Sequence, residues 1–338
     1  MASIYLTCTA NTIGHPYAKR DYERLTYYAS KDTIHRHIIV DDPKEADVIA
    51  FIGSSQPNFS DIKRSSLFRR YRHKAVIFYS GDRAIPILPG IYTCLEKRWF
   101  IPFRKSLLSG FYLRVTDNNY LDNIQDAKHT RYLYSFVGST KNHPVRNQIL
   151  MLRDSRAFLK DSSADHNAQA DGITGKNKER GNFYKDVVAE SKFVLCPRGI
   201  GVSSWRLFET MRAGRVPVII SNDWTQPPGP KWNSFSLFVR ENEIRQIPSL
   251  LRDAEPRAME MGHLARAAWD LYYSEGHVFN TLANQLLAAR EGIDSEKRLS
   301  RLLTYTQYLE PHYFRYWLLS PVKHSITKLS ATVDRRHH

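Results

Sequence analysis

Long apolar runs are missing from this chain. Stretches such as Val48 to Ile52 and Tyr316 to Leu319 fall far short of the ~18 residues a membrane-spanning helix needs. Cysteine is scarce. Cys8, Cys94 and Cys196 stand far apart, with no CxxC pair and no zinc-ligand spacing, so neither a disulfide framework nor a structural metal is expected, and a reducing compartment fits. No basic leader precedes an apolar segment in Met-Ala-Ser-Ile-Tyr-Leu-Thr-Cys-Thr, so a secretory signal is not expected either. Glycine and proline follow no fixed period, which excludes a collagen-like chain. Acidic residues are short: 34 Asp and Glu face 49 Lys and Arg, a net charge of +15. The excess calls for an anionic partner, and nucleic acid, an anionic membrane face and phosphorylated small molecules all satisfy it.

What is present suits a folded protein of two domains. The 338 residues exceed the roughly 250–300 at which one core stops growing. Apolar residues make up 42% and aromatics 12%, enough for sizeable cores. Strand-like runs at 4–8, 38–40, 48–53 and 75–79 alternate with helix-like stretches at 21–30 and 65–72. A second cycle starts at Tyr132–Val137 and continues through helix-like 145–152, a polar, glycine-dotted stretch 161–181 read as a surface loop, helix 184–190, strand 192–196, helix 203–213 and strands 216–220 and 237–239. Beyond Ala254 the chain turns helical, with Met261, Leu264, Ala268 and Leu271 at helical spacing. Buried-type strands alternating with helices predict parallel α/β sheets. The expected division is 1–125, 126–300 and a helical tail, 301–338, packing back on the first domain.

Chemistry concentrates in 195–220, Leu-Cys-Pro-Arg-Gly-Ile-Gly-Val-Ser-Ser-Trp-Arg-Leu-Phe-Glu-Thr-Met-Arg-Ala-Gly-Arg-Val-Pro-Val-Ile-Ile. A strand enters a glycine loop, two serines suited to capping precede a helix, and a glycine stop leads to a second strand. Gly199 and Gly201 allow backbone to approach a ligand. Ser203 or Ser204 caps a helix whose N–H groups and dipole favour phosphate, flanked by Arg198 and Arg206. Glu209, three residues after Arg206, suits a ribose diol; an ordinary intrahelical ion pair with Arg206 is the plainer alternative. GxGxxG and GxxxxGKS are absent.

The run PRGxGxSSxRxFExMRAGxVPVIIS resembles the signature of exostosin-type glycosyltransferases. Tyr134–Ser139 with Arg146 resembles that family's strand with F-x-G and following arginine. Tyr184 with 191–197 resembles the tyrosine and S-x-F-x-L-x-P ahead of the signature, and Ala75 to Asp82 a strand ending in glycine-aspartate. The resemblance is good over 130–225 and thin elsewhere. It implies a GT-B fold, two Rossmann-like domains facing across a cleft, and inverting transfer, usually from a UDP-sugar. At matching positions Glu209 would hold the ribose; Arg198, Gly199, Gly201, Ser203, Ser204 and Arg206 would surround the diphosphate; Gly138, Ser139 and Arg146 would line the opposite wall. The first domain would supply most of the acceptor site, for a glycan or lipid-linked glycan.

Arginines and a helix N-terminus manage leaving-group charge without a metal, and no Asp-x-Asp occurs, so no metal cofactor is expected. For the base that deprotonates the acceptor hydroxyl, Asp82 and His15 are candidates, each in a loop after a strand. Asp82 can equally pair with Arg83, and His15 can sit on a solvated loop. The basic cluster Lys63, Arg64, Arg69, Arg70, Arg72, His73 and Lys74 is a solvated helix face or a contact for anionic lipid. A cytoplasmic enzyme, peripheral at a membrane, is expected. The alternatives are a GDP-sugar enzyme of fucosyltransferase type, a basic nucleic-acid-binding protein, for which no helix-turn-helix, zinc-finger, RRM or KH signature appears, and a catalytically inactive binding protein.

Overall fold

The computed structural model describes residues 1–9, 16–53, 59–82, 85–97, 104–114, 121, 124, 130–164 and 175–296. His15, Arg83 and the tail 301–338 lie outside them. The chain divides into two compact units, 1–27, 36–108 and 283–338, and 28–35 and 109–282. The division falls before the 125/126 junction read from the sequence because Phe111 packs in the second unit, 4.7 Å from Tyr273 and 5.7 Å from Phe208 between ring centroids.

In chain order the first unit holds β1 (Ala2–Thr7), α1 (Pro16–Lys31, which runs on into the other unit's residues), β2 (His37–Ile39), β3 (Val48–Ile52), α2 (Ser60–Arg64), α3 (Ser66–Arg70), β4 (Ala75–Tyr79), β5 (Gly90–Tyr92) and β6 (Leu107–Ser109). The strands stand in the order β2-β1-β3-β4-β5-β6, and the pairings from β2 through β5 are parallel. All five residues of β3 are buried, as a strand covered on both faces requires. Ile49, Phe51, Ile62, Phe68 and Ile77 share one core.

The second unit is built of β7 (Tyr132–Gly138), α4 (Pro144–Leu150), β8 (Ala157–Asp161), α5 (Gly175–Ala189), β9 (Ser191–Pro197), α6 (Trp205–Arg212), β10 (Val216–Ile220), α7 (Trp232–Phe235), β11 (Leu237–Val239), α8 (Ile247–Ala254), α9 (Ala258–Tyr272) and the start of α10 (Val278–Ser295). Its sheet is parallel throughout, in the order β11-β10-β9-β7-β8. Connections leave β7 toward β8 on one side and return to β9 on the other, so the β7/β9 crevice is the topological switch point. Open α/β sheets bind ligands there, at the carboxyl ends of the strands.

Two local expectations change. The stretch read as loop 161–181 carries regular structure at both of its ends: β8 ends at Asp161 and α5 begins at Gly175. The helix escapes periodicity because Gly175, Gly181 and a polar first half hide it; among its residues from 181 onward, Val187 and Val188 are buried. In α9 the buried face is Ala258, Met261, Gly262, Ala265, Ala268 and Trp269, whereas Leu264 and Leu271 are exposed. The helix is chosen for closeness rather than bulk: a Cβ on Gly262 would stand 2.5 Å from the Gly214 carbonyl oxygen. Gly262→Ala should therefore lower stability by about 1–3 kcal/mol through overpacking, even though alanine is the better helix former. Urea unfolding followed by tryptophan fluorescence measures this, and an unchanged midpoint would contradict the packing.

Candidate donor-binding site

β7 and β9 end side by side, and a buried arginine ties together the loops that leave them. Arg146, 4% exposed on α4, donates from Nη1 to the Ser139 carbonyl (3.0 Å), from Nε to the Arg198 carbonyl (2.9 Å) and from Nη2 to the Pro197 carbonyl (3.3 Å). The sequence placed Arg146 on the wall of a ligand pocket. The structure makes it the brace beneath the glycine loop, Nη2 lying 3.1 Å from where a Gly199 Cβ would stand. Its charge still faces that loop from below.

Arg206 is turned toward the end of β7. Its Nε donates to the Val137 carbonyl at 2.7 Å, and its guanidinium lies over the Phe136 ring at 5.3 Å. A Cβ on Gly138 would fall 2.4 Å from Arg206 Nη2, so glycine is what admits the arginine. Ser139, 3% exposed, spends its hydroxyl locally, accepting from the Lys141 N–H and pairing with Ser163 Oγ at 3.1 Å. Around them Asp161 accepts from Thr140 and Ser163. Burial works against its charge, but these hydrogen bonds prevail and hold the carboxyl below its ordinary range.

The loop from β9 to α6 is different. Ser204 occupies the N-cap position, but its side chain makes no capping bond, contrary to the sequence expectation. Ser203 and Ser204 are 3% and 7% exposed, and the Oγ of each is buried without a hydrogen-bond partner, as is Arg198 Nε. Buried polar atoms left unpaired cost about 1–3 kcal/mol each. These three lie in the loop from the end of β9 to the N-terminus of α6, beside the switch point, and a helix N-terminus is a setting that favours an anion. Gly199 and Gly201 are buried in the same loop. Deeper in α6, Glu209 accepts a hydrogen bond from the Tyr184 hydroxyl at 3.0 Å, so Arg206 and Glu209 serve different partners. Cys196, at the end of β9, is no nucleophile at neutral pH, since burial pushes its thiol up to about 12.

Residues missed in the sequence complete this edge. Trp205, first in α6, lies under the Arg114 guanidinium at 4.6 Å and edge-on to Tyr112 at 5.5 Å. His143 caps α4, its Nδ1 accepting from the Val145 N–H; a histidine before Pro144 at the first helical position was the available signal. Glu241, just beyond β11, lies 3.6 Å from Arg198 Nη1 and 3.9 Å from His143 Nε2. Glu241 had no local signal.

In the first unit, a groove of about 360 Å³ lies at the ends of β1 and β3, lined among others by Thr7, Cys8, Thr9, Asp61, Arg64 and Phe51. Asp61 accepts from Thr9 Oγ1 at 2.8 Å. Asp82 is exposed after β4, with Cys94 Sγ 3.9 Å from Oδ1. The basic cluster loses one member: Lys74 is buried and donates to the carbonyls of Lys44 and Ala46. Arg64, Arg69, Arg70, Arg72 and His73 are exposed. Among the described residues, no group of three or more His, Cys, Asp or Glu is placed to hold a metal ion, and no helix is long and apolar enough to cross a membrane.

Residues 101–254 match the model of the Exostosin GT47 domain. That stretch is similar to an exostosin domain. Exostosin-1 homolog of Caenorhabditis elegans is 32% identical over 164 residues, 45% of this chain and 42% of that protein. Exostosin-1 of Drosophila melanogaster is 26% identical over 45% of this chain and 22% of its own length. This chain therefore matches less than half the length of these relatives. Among solved structures, HepE of Anabaena in complex with UDP and glucose aligns over 87% of this chain and 98% of its own, with a TM-score of 0.38 and 8% identity. The exostosin match takes in β7 through α8, and with them the Arg146 brace and the unpaired loop.

Burial and the nearby Arg198 and Arg146 charges hold His143 below its ordinary 6.5, against the pull of Glu241. The folded state thus takes up this proton less readily than the unfolded chain, so stability falls as pH drops through about 6.5. Between pH 7 and 5, His143→Asn, which retains a capping acceptor, should lose less stability than wild type. Parallel urea-unfolding curves across that range would contradict the assignment.

Proposed function

We propose that this chain is an inverting, metal-independent glycosyltransferase of GT-B type that takes its sugar from a nucleoside-diphosphate donor. The carrying observation is the trio of buried, unpaired polar groups, Ser203 Oγ, Ser204 Oγ and Arg198 Nε, in the loop that leads from β9 into α6. A diphosphate satisfies all three and meets the helix dipole and the charge of Arg146. Glu209, held by Tyr184, takes the ribose diol; Gly138, Ser139 and Arg206 form the facing side. UDP as the nucleotide, and inversion at the anomeric carbon, rest on the exostosin resemblance.

In this reading the acceptor hydroxyl attacks in line as the nucleotide diphosphate leaves. Preorganised arginine and backbone N–H groups stabilise the leaving charge in place of a metal. The acceptor is a glycan or lipid-linked glycan held by the first unit, where the β1/β3 groove combines hydroxyls, Asp61, Arg64 and an aromatic floor, a set that suits sugar hydroxyls. Asp82 and His15 are the candidate bases. The exposed arginines of α2 and α3 and the turn after them provide a face for anionic lipid, and a cytoplasmic enzyme peripheral at the membrane is the setting that agrees with it.

At 100 times its Kd a ligand stabilises the fold by about 2.7 kcal/mol. UDP should raise the unfolding temperature of the wild type equally with and without EDTA, and the rise should vanish in Ser203→Ala/Ser204→Ala and in Gly138→Ala, where the new methyl displaces Arg206. No rise with UDP, GDP, CMP, dTDP or ADP would overturn the donor reading, and a rise with GDP alone would move it to a GDP-sugar. With a UDP-sugar turnover assay in hand, Asp82→Asn or His15→Ala should abolish transfer while UDP still binds. Full activity in both variants would remove both candidates.

A further inference from the structure

We infer that Glu241 is a positioning residue that holds the Arg198 guanidinium ready for the donor diphosphate, an inference that rests on the donor reading above. The backbone of Arg198 is fixed at both ends of the residue: its N–H donates to the Ile220 carbonyl at 3.0 Å, and its own carbonyl accepts from Arg146 Nε at 2.9 Å. The side chain then runs toward Glu241, whose Oε1 lies 3.6 Å from Nη1.

Glu241 is itself immobilised by a reciprocal clasp. The Asn222 N–H donates to Glu241 Oε1, and the Glu241 N–H donates to Asn222 Oδ1, each at 3.0 Å. The carboxylate is thus tied to the ends of both β10 and β11 whether or not Arg198 is present. Arginine is among the most rotamer-rich side chains, and ordering it in advance removes a cost that phosphate binding would otherwise bear. The separation also matters. Charge-assisted hydrogen bonds run at about 2.7–2.9 Å, so at 3.6 Å the carboxylate orients Nη1 without consuming it. Oε2 has His143 Nε2 at 3.9 Å, and Arg198 and Arg146 disfavour a charge on that ring. Arg198 is accordingly the cation that the carboxylate faces.

The test is a double-mutant cycle on the full chain, read by isothermal titration with UDP. Glu241→Gln preserves the Asn222 clasp and removes the charge. It should leave the unfolding temperature without ligand unchanged and weaken UDP about tenfold. Arg198→Met should weaken UDP by at least as much. The double variant should be no weaker than Arg198→Met alone, because Glu241 acts only through Arg198. Unchanged or tighter UDP binding by Glu241→Gln, or multiplying losses in the double variant, would overturn the positioning role while the donor reading stands. Failure of the wild type to bind UDP or any other nucleoside diphosphate would overturn both.

Discussion

A single buried guanidinium governs the carboxyl edge of the second sheet. Arg146 reaches three backbone carbonyls, at Ser139, Pro197 and Arg198, which belong to the ends of two neighbouring strands and their loops. Arginine suits the place because its planar fork carries five N–H donors and is never deprotonated. A lysine would present a compact charge without the reach to serve carbonyls on both loops. The brace closes the loops over the switch point and leaves a fixed positive charge beneath Gly199, where an added Cβ would crowd Nη2.

The edge is satisfied on one side and unsatisfied on the other. Around the ends of β7 and β8, Ser139, Thr140, Asp161 and Ser163 pair with one another, and Asp161 gains acidity from them. After β9, Ser203, Ser204 and Arg198 keep buried polar atoms unpaired. Unpaired donors and acceptors at a helix N-terminus are groups that an anionic ligand would satisfy, and their cost without ligand becomes affinity with it. The glycines nearby have matching reasons: Gly138 makes room for Arg206, and Gly199 for Arg146.

Much of this edge is legible in the sequence because it is local. The strand, glycine loop, paired serines, helix and second strand of 195–220 are contiguous, and each step carries its own composition signal, so the loop and Glu209 stand out from the order of residues alone. The roles within it are less legible. Arg206 and Glu209 sit one turn apart and read as a pair, but the first belongs to the end of β7 and the second to Tyr184 on α5. Ser204 reads as a cap and does not cap. Leu264 and Leu271 read as the core face of α9, whereas the helix buries Gly262 and Ala265 instead, since close approach to the Gly214 turn rewards small residues.

The amino-acid sequence by itself determined the alternation of buried strands and helices, the parallel α/β class, the strand, glycine loop and helix of 195–220 and the excess of basic residues. All of these depend on the order of neighbours along the chain. Only the tertiary structure decided that Arg146 is a brace, that Lys74 leaves the basic face for the interior, and that His143, Arg198 and Glu241 meet. The contacts of Arg146, His143, Arg198 and Glu241 join residues from separate strands and loops, and the sheet order β11-β10-β9-β7-β8 brings them to one edge. Sequence spacing carries no record of that order, because strand pairing is settled by which faces can be buried together.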